Sequence, residues 1–246
     1  MNNIQEILLF PVRDVSARKQ FLIACLVVLA GFFIPILPSL VLLGYSAKIM
    51  RQITEERQKP SMPAWQGSDV SEMLMDGLRL WGAQLVLMLP LLLLLGCGAV
   101  SILGGSLGIS ALADKSENLS VSIGVLLLMT GGLMVSLLGI LALPYSFIVY
   151  ASQPHVARKR SFEAVFQFRE WFAILRQALG QYILGYMIVM AASFVFVLVM
   201  QIAMMTIILL CIIPLLMAPY MAYQILIMNT VFAQAYAVGR ERLETA

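Results

Sequence analysis

The sequence predicts an all-α, polytopic integral membrane protein with about six membrane segments. These are arranged as three hairpins, each preceded by an amphipathic interfacial helix. Three observations predict this fold class. The chain is 61% hydrophobic and only 12% charged, with a mean hydropathy of +0.92, whereas soluble domains carry roughly 25% charged residues. Several apolar runs reach the ~20 residues that cross a bilayer core. The basic residues sit in short stretches beside those runs, where they set orientation. Fifteen of the 16 Lys and Arg fall on one side of the expected layout, with only Lys115 on the other. That side is the cytoplasmic one by the positive-inside bias, so both termini are expected in the cytoplasm of a multi-pass protein of the cytoplasmic (inner) membrane.

In chain order, residues 3–19 place Ile4, Ile7, Leu8, Val12 and Val15 on one helical face. Pro11 must start a new turn or kink that helix. Glu6 and Asp14 precede the first apolar run, so the segment reads as a retained interfacial helix rather than a cleaved leader. The run Phe21–Met50 is broken at Pro35 and Pro38. A hairpin turning there keeps both flanking basic stretches on one side, with arms of about 14 residues or 21 Å. Such arms are short for the ~30 Å core. A re-entrant segment and a single tilted span are the alternatives.

The stretch from Gly44 to Pro90 organises the chain. It passes Lys48, Arg51, Arg57 and Lys59, turns at Pro63-Ala64-Trp65, and enters an amphipathic helix near Asp69. Asp69 with Glu72 has capping-box spacing. Val70, Met73, Leu74, Gly77, Leu78 and Trp81 form the expected apolar face, with Glu72, Asp76 and Arg79 opposite. Residues 80–103 read as a span bent or broken at Pro90. Residues 104–122, rich in Gly and Ser, read as the non-cytoplasmic loop. The span 121–150 returns, with Gly132, Ser136, Gly139 and Ile140 as a small-residue packing stripe.

A second copy of the arrangement follows. Arg158-Lys159-Arg160 leads into a helix with Phe162, Val165, Phe168, Phe172 and Leu175 on one face, and Trp171 suits the headgroup level. Residues 178–232 are long enough for two spans, turning between Cys211 and Pro219. The whole, 1–246, reads as a single membrane domain with pseudo-repeat units 1–50, 51–150 and 151–237 and a short tail, 238–246.

The chemistry is sparse. No span interior holds a charged residue, which disfavours an ion-coupled pump. Gln84, Gln181, Gln201, Gln224 and Asn229 are the polar positions within spans, expected to serve interhelical hydrogen bonds. Cys25, Cys97 and Cys211 lie in apolar runs and pair in no CxxC motif. One histidine, His155, has no ligand cluster beside it. No catalytic constellation, metal site or cofactor motif is present, so the expectation is a protein that is not an enzyme and takes no cofactor. Lys48, Arg51, Arg158, Lys159 and Arg160 are candidates for binding lipid headgroups. The expected partners are membrane lipids and another membrane protein or a second copy of the chain; nucleic acid is not expected.

The Gly44-Tyr45 pair followed by the basic run, Pro63-Ala64-Trp65, Asp76-Gly77-Leu78, and in the second copy Ser161 to Phe166 with Trp171 resemble a bacterial and archaeal membrane family. That family is known only as a domain of unknown function, number 4013. The resemblance covers about residues 5–235 and makes Gly44, Tyr45, Pro63, Trp65, Asp76, Gly77, Phe162 and Trp171 the motif or interface candidates. Family members tend to carry an acidic residue between that proline and tryptophan; Ala64 stands there in this chain. The resemblance implies a multi-helix membrane protein and no activity. The expected function is a non-enzymatic membrane subunit or accessory scaffold that packs against another complex or organises lipid. The alternatives are a carrier for a neutral or lipidic solute, motivated by the proline-broken helices, and a membrane-shaping protein.

Overall fold

A computed structural model describes residues 4–34, 36–56, 59–112, 118–204 and 213–245. Among these residues the chain is helical without strands. The helices are α1 (Ile4–Leu9), α2 (Val15–Ala30), α3 (Leu37–Thr54), α4 (Val70–Leu112), α5 (Asn118–Lys159), α6 (Phe168–Gln177), α7 (Leu179–Met204) and α8 (Ile213–Thr245). Short 3-10 turns at Gly67–Asp69 and Phe162–Phe166 precede α4 and α6. Four helices are long and apolar enough to cross a membrane: those within Gly67–Ser110, Val121–Lys159, Leu179–Ile202 and Leu215–Thr245. The chain is a multi-pass membrane protein by that measure.

The chain divides into two compact units, one of residues 1–84 and 150–246, the other of residues 85–149. In the first, α8 is the hub: α1, α2, α3, α6 and α7 all pack on it. Its Leu226, Ile227, Val231, Phe232, Ala233, Ala235 and Tyr236 are buried. At the N-terminus Pro11 ends the expected single helix. The carboxylate of Asp14 then starts α2 by accepting from the Ala17 N–H at 2.6 Å. α2 and α3 pack on each other with 16 and 18 residues, about 24 and 27 Å of rise.

The second unit carries no charged side chain among its described residues. Apart from Val149 at its edge, its buried positions recur every seven residues on both helices: Leu91, Gly98 and Gly105 on α4, Gly124, Gly131 and Leu138 on α5. A Cβ on Gly131 would lie 2.8 Å from the Gly98 carbonyl oxygen, and one on Gly105 would lie 2.7 Å from that of Gly124. Backbones that close exclude any side chain, and a seven-residue repeat keeps the seam facing its partner. The small-residue stripe expected at Gly132, Ser136, Gly139 and Ile140 is thereby corrected: nothing lies within 4 Å of a Cβ at Gly132 or Gly139.

Three further expectations are corrected. The Gly/Ser-rich region is not a loop from 104; α4 runs through it to Leu112. The hydroxyls of Ser101, Ser106 and Ser110 donate back to the carbonyls of Cys97, Leu103 and Leu107 at 2.9–3.0 Å, so these residues are satisfied inside a helix. Helix α4 is also continuous through Pro90, which removes a break there but not a bend, and the Tyr145 hydroxyl donates to the nearby carbonyl of Leu87. Finally, α5 does not stop at Tyr150 but continues through Pro154 to Lys159, which places His155 in a helix rather than a loop.

Candidate functional site

The residues of the first motif come together where α3 crosses α4. Gly44 and Gly77 are the crossing point. A Cβ on Gly44 would lie 1.7 Å from the Met73 carbonyl oxygen, and one on Gly77 would lie 1.9 Å from that of Leu40. Only glycine permits two helix backbones this close. One residue on, Tyr45 is fully buried. Its ring stacks on Trp65 with centroids 4.3 Å apart, and its hydroxyl donates to the Pro63 carbonyl at 2.7 Å. The Trp65 N–H donates to Gln20 of α2 at 3.1 Å. The 63–65 turn is therefore held on α2 and α3 together.

A turn further along α3, the charges are used inside the same joint. Lys48 bonds Asp69 at 2.7 Å. Arg51, with its side chain 8% exposed, pairs with Asp76, 4% exposed. Arg79 takes the second oxygen of Asp76 at 2.9 Å. Glu72 lies 3.7 Å from Arg51 and 3.1 Å from Arg160. Asp76 therefore faces inward, not outward as helical patterning implied; Met73, Asp76, Gly77 and Leu80 form the buried face, while Val70, Leu78 and Trp81 are exposed. Patterning failed because the joint is polar and the surroundings of the outer face are apolar. Asp69 spends its carboxylate on Lys48 and Ser68, so the capping-box expectation gives way to an ion pair.

The second copy is built alike. Ser161 caps its 3-10 turn by accepting from the Glu163 N–H at 3.2 Å. Trp171 is 3% exposed and donates its indole N–H to the Val165 carbonyl at 3.2 Å; it is a core residue, not a headgroup anchor. Phe162 lies over Gly82. Lys159 bonds both Gln167 and Glu170. That contact holds the exposed Glu170 carboxyl below its ordinary range. His155 is buried between Tyr236, 2.8 Å from Nδ1, and Gln167, 3.2 Å from Nε2. With both ring nitrogens engaged, it is part of the packing.

The expected headgroup candidates all have partners within this unit: Lys48, Arg51, Lys159 and Arg160 with acids, and Arg158 with the Tyr236 hydroxyl. Two cations that sequence reasoning passed over stand differently. Arg169 and Arg176 of α6 form no ion pair among the described residues. Beside them on α6 are Phe168 and Phe172, which are 50% and 42% exposed, and Arg176 lies 5.1 Å from the Phe172 ring centre. The alternation Phe168, Arg169, Phe172, Arg176 on one short helix was the available signal.

Deeper in the same unit, α2, α3, α4, α5 and α8 border a partly open cavity of about 520 Å3. Its polar lining is Ser39, Gln84, Tyr150, Gln224 and Asn229, among leucines, isoleucines and methionines. Of the five polar span positions, three converge here; Gln181 and Gln201 do not. A second, almost wholly apolar cavity of about 310 Å3 shares Gln224. No cluster of potential metal ligands occurs among the described residues. Cys25 and Cys97 are free thiols, and Cys211 lies outside the described residues. No curated protein and no solved structure matches the chain. The motif residues do point to one relationship: a family model described as "Protein of unknown function (DUF4013)" matches residues 25–205, about three quarters of the chain, and the protein belongs to that family.

Proposed function

We propose that the protein is a non-enzymatic integral membrane subunit or accessory scaffold, which packs against another membrane complex or organises lipid around itself. The observation that carries this reading is the use of the motif residues. Tyr45, Trp65, Lys48, Arg51, Asp69 and Asp76 are bonded to one another, so the most reactive-looking side chains build the scaffold. What faces outward includes apolar helix surface and the basic, aromatic side of α6. In this reading α2 and α3 form a short re-entrant hairpin, giving six membrane segments with the four long helices. All described Lys and Arg belong to the first unit, which agrees with both termini and both joints lying at the cytoplasmic face of the inner membrane. Arg169 and Arg176 then meet anionic headgroups, with Phe168 and Phe172 inserted beside them.

The test is purification from native membranes into nanodiscs, followed by mass spectrometry of the intact assembly. A membrane-protein partner at fixed stoichiometry, or a stable ring of anionic lipid lost in an Arg169→Gln/Arg176→Gln variant, is the expected result. A bare monomer with exchangeable lipid would remove the proposal. A second reading, a carrier for a neutral or lipidic solute, is favoured by the convergence of Gln84, Gln224 and Asn229 on one cavity.

A further inference from the structure

We propose that the cavity between α3, α4 and α8 is a binding site for one uncharged, single-chain amphiphile whose head carries a hydroxyl group. The site goes beyond the scaffold reading and stands whether the protein moves this ligand or only holds it.

The lining decides the chemical class. Among the described residues, no Asp, Glu, Lys, Arg or His lines the cavity. A fatty acid anion or an ammonium head would therefore sit without a counter-ion in an apolar surround, which costs far more than a neutral head does. The polar groups present are amides and hydroxyls, which serve a neutral head. Asn229 belongs to the inner wall of the cavity. It is 2% exposed. Its Nδ2 donates to Ser46 Oγ at 3.0 Å, and that hydroxyl in turn donates to the Leu43 carbonyl at 2.7 Å. This chain fixes which end of the amide is which, and leaves Oδ1 buried with no hydrogen-bond partner. A buried acceptor of this kind costs roughly 1–3 kcal/mol when left unmade. Oδ1 has no surface open to the cavity, so the contacts with a ligand head fall to the glutamines that line it. Gln84 and Gln224 line the cavity and supply both donors and acceptors for a head hydroxyl or an ester carbonyl.

Size and place fit the same ligand. About 520 Å3 lies within the ~300–1,000 Å3 of small-molecule sites. Along α3 the cavity begins roughly 12–17 Å from the Arg51 ion pair, which is membrane depth rather than surface. Ile36 and Trp81 line it and are 57% and 38% exposed, so it is open on that side to an acyl chain in the bilayer. Ile36 also holds φ at 78°, a conformation that a β-branched residue adopts only under constraint. The second cavity, bordered by Gln224, Phe196 and Tyr220, offers an apolar course for the tail.

The experiment uses the full chain in phosphatidylcholine nanodiscs. A dibrominated monoacylglycerol is the probe, and quenching of Trp81 fluorescence is the readout, with Trp81→Phe as the control for signal. Saturable quenching at one probe per protein is expected. It should be reversed by monoolein and not by oleate at pH 9. A Gln84→Leu/Gln224→Leu variant should bind the probe at least about tenfold more weakly while keeping its native elution volume and melting temperature. If that variant fails to fold, Leu43→Phe, which narrows the cavity without touching an amide, should lower the number of sites instead. Unsaturable quenching, equal displacement by oleate, or native affinity in both folded variants would overturn the proposal. A failed transport assay alongside saturable binding would remove only the carrier reading.

Discussion

Replacing Gly77 by alanine tests the joint at its tightest point. A Cβ there would lie 1.9 Å from the Leu40 carbonyl oxygen and 3.1 Å from the Gly44 nitrogen, where ordinary contacts begin at 3.4 Å. Both neighbours are backbone atoms, so no rotamer change relieves the clash. The helices must part by about 1.5 Å at the crossing, because packed interiors do not compress. Overpacking alone costs about 1–3 kcal/mol. Separation also strains the Tyr45–Trp65 stack and the Arg51–Asp76 pair, which flank the crossing on α3. Alanine returns at most about 1 kcal/mol through helix propensity. With overpacking at the upper end of its range, a net loss of about 2 kcal/mol follows, or roughly 4–8 °C in Tm for a chain of this size. The same change at Gly139, where nothing lies within 4 Å, should leave Tm unchanged or raise it slightly. Melting of both variants in nanodiscs, followed by tryptophan fluorescence and checked by size-exclusion chromatography, gives the comparison. Equal melting of Gly77→Ala and the parent protein, or an equal loss at Gly139→Ala, would refute the close-approach argument.

Two more outcomes follow from buried and exposed polar groups. Gln153 is fully buried and neither amide atom has a hydrogen-bond partner, so Gln153→Met should stabilise the protein by about 1–3 kcal/mol; a lower melting temperature would show that the amide is satisfied after all. The Glu170 carboxyl is held below its ordinary range chiefly by its hydrogen bond from Lys159. Its contribution is complete above the unfolded-state pKa and is lost as pH falls through the lower folded-state pKa. An NMR titration of Glu170 should give a midpoint below that of a free glutamate, moving back up in Lys159→Met; a midpoint at the free value would contradict the pairing.

The long helices were legible because lipid imposes one rule along their whole length: an apolar run of sufficient span. Which faces pack was less legible, since an apolar side chain satisfies both lipid and protein. The seam of Gly98, Gly105, Gly124 and Gly131 was not separable by its seven-residue spacing, because Gly132 and Gly139 share that spacing and have nothing within 4 Å of a Cβ. Asp76 was misplaced because amphipathic patterning assumes water outside and oil inside, and the joint inverts this. Its partner Arg51 lies 25 residues away, a pairing that no local pattern encodes. The motif positions Gly44, Tyr45, Pro63, Trp65, Asp76 and Gly77 were identified, and their convergence is what the fold added. The hub role of α8 was hidden, as its burial depends on five helices arriving around it. The cavity was foreshadowed by Gln84, Gln224 and Asn229, while Gln201 is an exposed residue.

The central claim is that the family motif forms one internal joint rather than an outward-facing site. A double-mutant cycle on Arg51→Met and Asp76→Leu tests it most directly. Each single change strands a buried charge and should cost about 3–5 kcal/mol, whereas the double variant replaces the pair by apolar side chains and should lose far less. The residual contacts of Arg79 and Glu72 reduce the effect, so a coupling energy of about 2 kcal/mol or more is the predicted result. Additive losses, or single variants that melt like the parent protein, would contradict the joint.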